Sequence, residues 1–338
     1  MNDLRLQAAL AIAFALAAGN PRASAARPEK LVTIDVPKAV VTVASGINND
    51  GVVVGWYCLQ TPCNGAGTAA NPATATNPRT RGFVRNPDGS FVLLNANDCG
   101  GADAPDPCHP AISTQPRYIS PQGVVIGAYI TLEDGATFGN PRFRGFAWYQ
   151  GQFSYFDAPD DLYDHTSSPG GPRIPHSIIP RGINAEGDIV GCIHDVDQMD
   201  SMHGFRLHQG NFTRDPDGMT MHNGINASGD VVGLDNASPT AYRLDRLDNV
   251  VERFAYPGAA STAAWGINER GDIVGQYFRS DAVSHAFVRD KNGDYRALAE
   301  AAGVLSSAAF GIADNGGIVG QYRDASGTHG FVLVPGGE

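Results

Sequence analysis

The chain has 338 residues, of which 17% are charged, with 41 glycines, 22 prolines and a formal net charge of -11. That balance excludes a surface built for nucleic acid or an anionic membrane, since both reward an excess of Lys and Arg. Low charge with abundant Gly and Pro fits many short strands joined by turns.

Residues 1–25 have the layout of a secretory signal peptide. Arg5 precedes an apolar run, Ala8 to Ala18, and Ala23-Ser24-Ala25 offers a small-residue cleavage site. The run is too short to span a bilayer, so export is preferred to a membrane anchor. A secreted or periplasmic location without a transmembrane segment is expected, with residues 26–338 forming a single domain. Next comes Leu31-Val32-Thr33-Ile34-Asp35-Val36-Pro37, which resembles the stretches at Phe153–Pro159 and Glu252–Pro257 that end later units. The chain thus begins on an outer strand that has no unit of its own.

Gly46 then opens GINNDGVVVGWY, the first of six variants of one phrase. The others begin at Tyr118 (YISPQGVVIGAY), Gly182 (GINAEGDIVGCI), Gly224 (GINASGDVVGLD), Gly266 (GINERGDIVGQY) and Gly311 (GIADNGGIVGQY). Asn-x-x-Gly makes a tight turn, because Asn bonds its own backbone and Gly takes positive φ cheaply. The β-branched residues after it suit a strand. The Gly at the tenth position of the phrase (Gly55, Gly127, Gly191, Gly233, Gly275, Gly320) marks a close approach of backbone or ring.

A second motif follows each copy: Arg81-Gly82-Phe83-Val84, Arg144-Gly145-Phe146-Ala147, His203-Gly204-Phe205-Arg206, Ala241-Tyr242-Arg243-Leu244, His285-Ala286-Phe287-Val288 and His329-Gly330-Phe331-Val332. Another turn and a short strand come next, so each unit holds four antiparallel strands. Fixed-period repetition of such units predicts an all-β, six-bladed β-propeller. The last unit lacks its fourth strand. The N-terminal strand is expected to supply it and close the ring, leaving no exposed edge.

The alternation of these two motifs resembles the HAF-repeat family of probable extracellular bacterial proteins, with His285-Ala286-Phe287 as the namesake triplet. The likeness runs from about Leu31 to Val334. Units one, two and four depart from it, with Arg, Arg and Ala where His is expected. The resemblance implies an extracellular repeat protein and carries no catalytic residues.

In an up-and-down blade the tight turns share one face. All extra length, such as Cys58 to Thr80 and Asp157 to Pro180, falls on the other, and a rigid scaffold with long loops on one face places function there. Cys58 with Cys63, and Cys99 with Cys108, lie in such loops and are expected as two disulfides in an oxidising compartment. The rival reading, zinc on four thiolates, is poorly served by these spacings. Cys192 reads as buried packing.

His165, His176, His194 and His222 fall on or near the long-loop face among Asp157, Asp160, Asp161, Asp164, Asp195 and Asp197, with Tyr163. Acid–base roles for His176, His194, His222 and Tyr163 stay open beside a merely polar loop set. No cofactor is expected, and a divalent metal at these His/Asp-rich loops also stays open. Asp188, Asp230 and Asp272 read as turn chemistry rather than as calcium ligands.

The residues just before each Gly-Ile-Asn should reach the central channel: Ser45, Arg117, Arg181, Asn223, Trp265 and Phe310. Arg117, Arg181, Asn223 and Trp265 form a candidate ligand site for a carboxylate such as a uronate. The alternative is that the arginines pair internally and plug the channel. Two functions follow: a module that binds an extracellular small molecule or polysaccharide, or a hydrolase or lyase with the same arginines at its mouth.

Overall fold

The computed structural model describes residues 29–61, 63, 67–68, 71–72, 80–96, 111–131, 142–159, 162, 177–195, 201–215, 220–235, 237–299 and 302–335. The first strands are β1 (Glu29–Ile34), β2 (Val41–Ile47), β3 (Val53–Cys58), the two-residue β4 (Gly67–Thr68) and β5 (Asn71–Pro72), β6 (Arg81–Arg85) and β7 (Phe91–Leu94). Then follow β8 (Ser113–Ile119), β9 (Val125–Thr131), β10 (Arg142–Tyr149) and β11 (Gln152–Phe156). The third set is β12 (Ser177–Ile183), β13 (Ile189–Asp195), β14 (Ser201–His208) and β15 (Asn211–Arg214). The fourth is β16 (Thr220–Ile225), β17 (Val231–Asp235), β18 (Ala241–Leu244) and β19 (Val250–Phe254). Last come β20 (Ser261–Ile267), β21 (Ile273–Phe278), β22 (Ser284–Arg289), β23 (Tyr295–Leu298), β24 (Ser306–Ile312), β25 (Ile318–Arg323) and β26 (Thr328–Pro335).

Four-stranded antiparallel sheets in a β-propeller arrangement make up the fold. Four of them stand alone: β8–β11, β12–β15, β16–β19 and β20–β23. Six separate sheets are not what is found. The other eight long strands form one sheet, because β2 touches β26 through a single parallel pair, Val41 with Thr328. Within that sheet β1 lies along β26 from Glu29↔Pro335 to Ile34↔Gly330, as the N-terminal reading expects.

The repeat's residues explain the packing. The turn glycine takes positive φ, 80° at Gly271, and Asn268 Oδ1 accepts the backbone N–H of Asp272 at 2.9 Å. The Gly at the tenth position does meet both backbone and ring: a Cβ on Gly275 would strike the Ala263 carbonyl and the Phe287 ring. Phe83, Phe146, Phe205, Phe287 and Phe331 occupy that position and have no exposed surface.

In the fourth unit Tyr242 stands opposite Gly233, as Phe287 stands opposite Gly275. The motif there begins one residue earlier than the string suggests, so Thr240, not Ala241, fills the His position. In the last two units the His stacks on the Tyr of the preceding strand, His285 on Tyr277 and His329 on Tyr322, each at 5.2 Å between centroids, whereas His203 stands opposite Ile193. Arg81 and Arg144 stand opposite Tyr57 and Tyr129 in the same way.

Cys58 and Cys63 form a disulfide, while Cys99 and Cys108 lie outside the described residues. Among the described residues no helix is long and apolar enough to cross a membrane.

Candidate functional site

The inner strands β2, β8, β12, β16, β20 and β24 lie side by side in a closed circle. Each carries one extra residue at the same place, a β-bulge between its fourth residue from the end and the motif's first position. The bulged residues are Ser45, Arg117, Arg181, Asn223, Trp265 and Phe310. A bulge interrupts the ladder and re-aims its side chain.

These side chains converge across the circle. Arg181 lies over the Trp265 ring at 5.5 Å, although β16 separates their strands. Trp265 meets Phe310 edge-on at 5.6 Å, and Asn223 Nδ2 donates to the Ala264 carbonyl at 2.8 Å. Arg117 donates to Gln115 Oε1 at 2.6 Å. Ser45 instead donates to the carbonyl of Pro116 at 2.8 Å, tying two inner strands together.

The electrostatics are unusual for a protein interior. Burial, then the charge of Arg181, holds Arg117 down to about 9. Neither guanidinium has a carboxylate partner among the described residues, whereas the peripheral arginines do, such as Arg206 with Asp248 and Arg289 with Glu252. Arg117 Nε, Asn223 Oδ1 and Trp265 Nε1 are buried with no hydrogen-bond partner among the described residues. Orphaned polar atoms of this kind cost free energy unless something completes them.

Arg181 reaches back along its own sheet. Its Nε lies 3.5 Å from Cys192 Sγ, and His194 Nε2 lies 3.2 Å from the same sulfur. Burial by itself would raise the thiol, but the charges of Arg181 and His194 outweigh it and bring Cys192 to about 6. The residue is buried as expected, yet its surroundings are not those of inert packing.

The other site residues scatter. His222 is buried within β16, its Nδ1 2.7 Å from the Tyr242 hydroxyl, which itself donates to the Met221 carbonyl. The Tyr242 proton is thus committed, so the imidazole N–H donates to its oxygen. Burial drives His222 down to about 4 and keeps the ring neutral. His203 binds the Asp215 carbonyl through Nδ1, and Asp157 pairs with Arg142 and Arg144. His165, His176, Tyr163, Asp160, Asp161, Asp164 and Asp197 lie outside the described residues. Among the described residues no group of three or more His, Cys, Asp or Glu side chains is placed to hold a metal ion.

At the tight-turn end the circle opens into a shallow mouth ringed by Ile47, Ile119, Ile183, Ile225, Ile267 and Ile312. Glu269 and Asp314 stand at its rim, and burial followed by the Asp314 charge raises Glu269. Two carboxylates therefore face this mouth. Sequence reading found the bulge positions because they precede a repeated motif. It missed Cys192 because that contact depends on where the bulge sends Arg181.

No family model matches the chain, and no curated protein matches it either. Among solved structures, a streptogramin B lyase is similar over 90% of this chain and 98% of its own, at 12% identity and a TM-score of 0.43. A putative TolB from Agrobacterium tumefaciens covers 87% of this chain and 91% of its own, at 11% identity and a TM-score of 0.46. The fucose-specific lectin from Aleuria aurantia covers 91% and 99%, at 11% identity and a TM-score of 0.43. Likeness at this level brings no chemistry from those proteins to this chain.

Proposed function

We propose that this chain is an exported six-bladed β-propeller that binds a carboxylate-bearing ligand, an acidic glycan in particular, at the centre of its ring. The observation that carries the reading is the pair of part-buried guanidiniums, Arg117 and Arg181, of which Arg117 is held down by burial and by the charge of Arg181, and which meet no carboxylate among the described residues. Buried charges are ordinarily paired, and a planar carboxylate fits a guanidinium in two places. Asn223 and Trp265 add an acceptor and a donor without partners, suited to sugar hydroxyls.

Six blades follow if the eight-stranded sheet counts as two units joined only at Val41 and Thr328. One is β2, β3, β6 and β7; the other is β24, β25, β26 and β1, with the chain's first strand closing the ring. The closed circle of inner strands supports that count. Export is supported by the signal-like residues 1–25 and by the Cys58–Cys63 disulfide. The repeat motif's likeness to the HAF-repeat family points the same way. The acidic tight-turn mouth favours entry from the opposite, long-loop face.

Binding is preferred to turnover by acid–base chemistry because His222 is fastened to Tyr242 in the core. The test is a screen of the mature protein against acidic and neutral polysaccharides, reading both retention and product. Retention of uronate polymers without new reducing ends or unsaturated products is expected. Equal retention of neutral and acidic polymers, or steady product formation, would overturn the reading.

A further inference from the structure

One strand out from the ring's centre, on β13, lies a buried thiol that ligand binding alone does not use. Strand pairing sets Cys192 opposite Ile179 and His194 opposite Ser177, so both side chains share one face of β13. Arg181, the bulged residue of β12, turns back and meets Sγ. Cys192 has no exposed surface, and His194 beside it is partly exposed.

A buried thiol among apolar side chains stays protonated, because the interior penalises its anion. Here two nitrogen groups contact the sulfur, and their charges reverse that outcome. The neighbouring inner strands leave polar atoms without partners. Asn223 is only 2% exposed and leaves Oδ1 without a partner, and Arg117 leaves Nε without one.

We propose that Cys192 is a reactive thiolate that captures carboxylate-bearing electrophiles drawn to the centre of the ring by Arg117 and Arg181. The inference rests on the carboxylate grip put forward above. In the step, a sulfur lone pair forms an S–C bond while the bond from that carbon to its leaving group breaks, and the leaving group departs with its electron pair. The product is a neutral thioether, which would strip Arg181 of its anionic neighbour. A carboxylate on the captured molecule restores that negative charge, and a neutral electrophile does not. The site therefore prefers the anionic reagent of any matched pair.

Iodoacetate and iodoacetamide are such a pair, with the same reacting carbon and the same iodide leaving group. The folded protein, with Cys58–Cys63 oxidised, is treated with each at pH 7.5, and the Cys192 peptide is followed by mass spectrometry. Iodoacetate is expected to label Cys192 roughly tenfold faster than iodoacetamide, as electrostatic focusing allows. Arg117→Gln, which spares the Arg181 contact to sulfur, should bring the ratio of the two rates down to that of free cysteine. Labelling should also rise with pH through about 6 rather than near the ordinary thiol range. If neither reagent labels Cys192 until the protein is denatured, the thiol is inert and the inference fails, while uronate binding still tests the grip by itself. If both label it at the free-cysteine ratio in the wild-type protein, the anionic preference fails and takes the carboxylate grip with it.

Discussion

At the scale of single residues, His222 shows how neighbours decide what a titratable group does. In sequence it stands among histidines and aspartates that suggest acid–base chemistry. In the fold its ring fills the space above Gly204, where any Cβ would collide with it, and its N–H is committed to Tyr242. Its folded value near 4 lies below the ordinary His value, so the unfolded chain binds the extra proton between about 6.5 and 4. Stability from this group is complete above about pH 6.5 and is lost as pH falls toward 4. The shift corresponds to about 3 kcal/mol. Thermal unfolding from pH 7.5 to 4 should show this loss in the wild type, and a His222→Gln variant should have a flatter profile. Parallel profiles would mean that His222 is already solvated.

What the sequence could say at this scale depended on repetition. Arg117, Arg181, Asn223 and Trp265 were legible because each precedes the same phrase. Cys192, His222 and the Thr240 phase were not, because each is fixed by a partner on an adjacent strand. No periodicity in the string records such a partner.

At the scale of elements, the motif's Asn has a second task that its turn role conceals. Asn184 Nδ2 donates to the Asn226 carbonyl, Asn226 to that of Asn268, and Asn268 to that of Ala313, at 3.2, 3.3 and 3.4 Å. Asn315 donates to the Asn49 carbonyl at 3.0 Å, which carries the chain of bonds from β24–β25 to β2–β3. These four turns thereby tie their sheets to the next. Asn226→Ala removes a turn acceptor and a cross-sheet donor and leaves buried groups unpaired. It should cost about 1–3 kcal/mol in denaturant unfolding, whereas a change below about 0.5 kcal/mol would show the tie to be idle.

The strand β1 makes the larger contribution, because it covers the whole outer edge of β26. Deleting residues 26–38 from the mature protein should expose that edge and bring aggregation or loss of cooperative unfolding. An unchanged melting temperature would contradict this closure. The outer-strand role of Leu31–Pro37 was legible from its likeness to later strands. The merging of eight strands into one sheet was not, since it turns on a single residue pair.

At the scale of the whole molecule, charge is divided along the ring axis. Glu269 and Asp314 stand at the tight-turn mouth, and Arg117 and Arg181 lie inside the circle. The all-β propeller arrangement was legible because six unit starts share one phrase. The chemistry was less so, because the long connections carry His176, Tyr163, Cys99 and Cys108 outside the described residues. With Arg117 held down to about 9 by burial and the Arg181 charge, carboxylate binding should weaken as pH rises through that value and be tighter on the acid side. A pH series of affinities from 7 to 10.5 reads this directly, and a flat series would exclude Arg117 from the site.

The most direct measurement is a calorimetric titration at pH 7 of a uronate oligosaccharide into the wild-type protein and Arg181→Gln, with a neutral oligosaccharide of equal length as control. The account predicts saturable binding of the uronate to the wild type, a loss of at least about tenfold on Arg181→Gln with an unchanged melting transition, and no heat from the neutral sugar; a buried charge pair broken at one partner costs more than that factor. Equal affinity of wild type and variant for the uronate, or binding of both sugars alike, would contradict it.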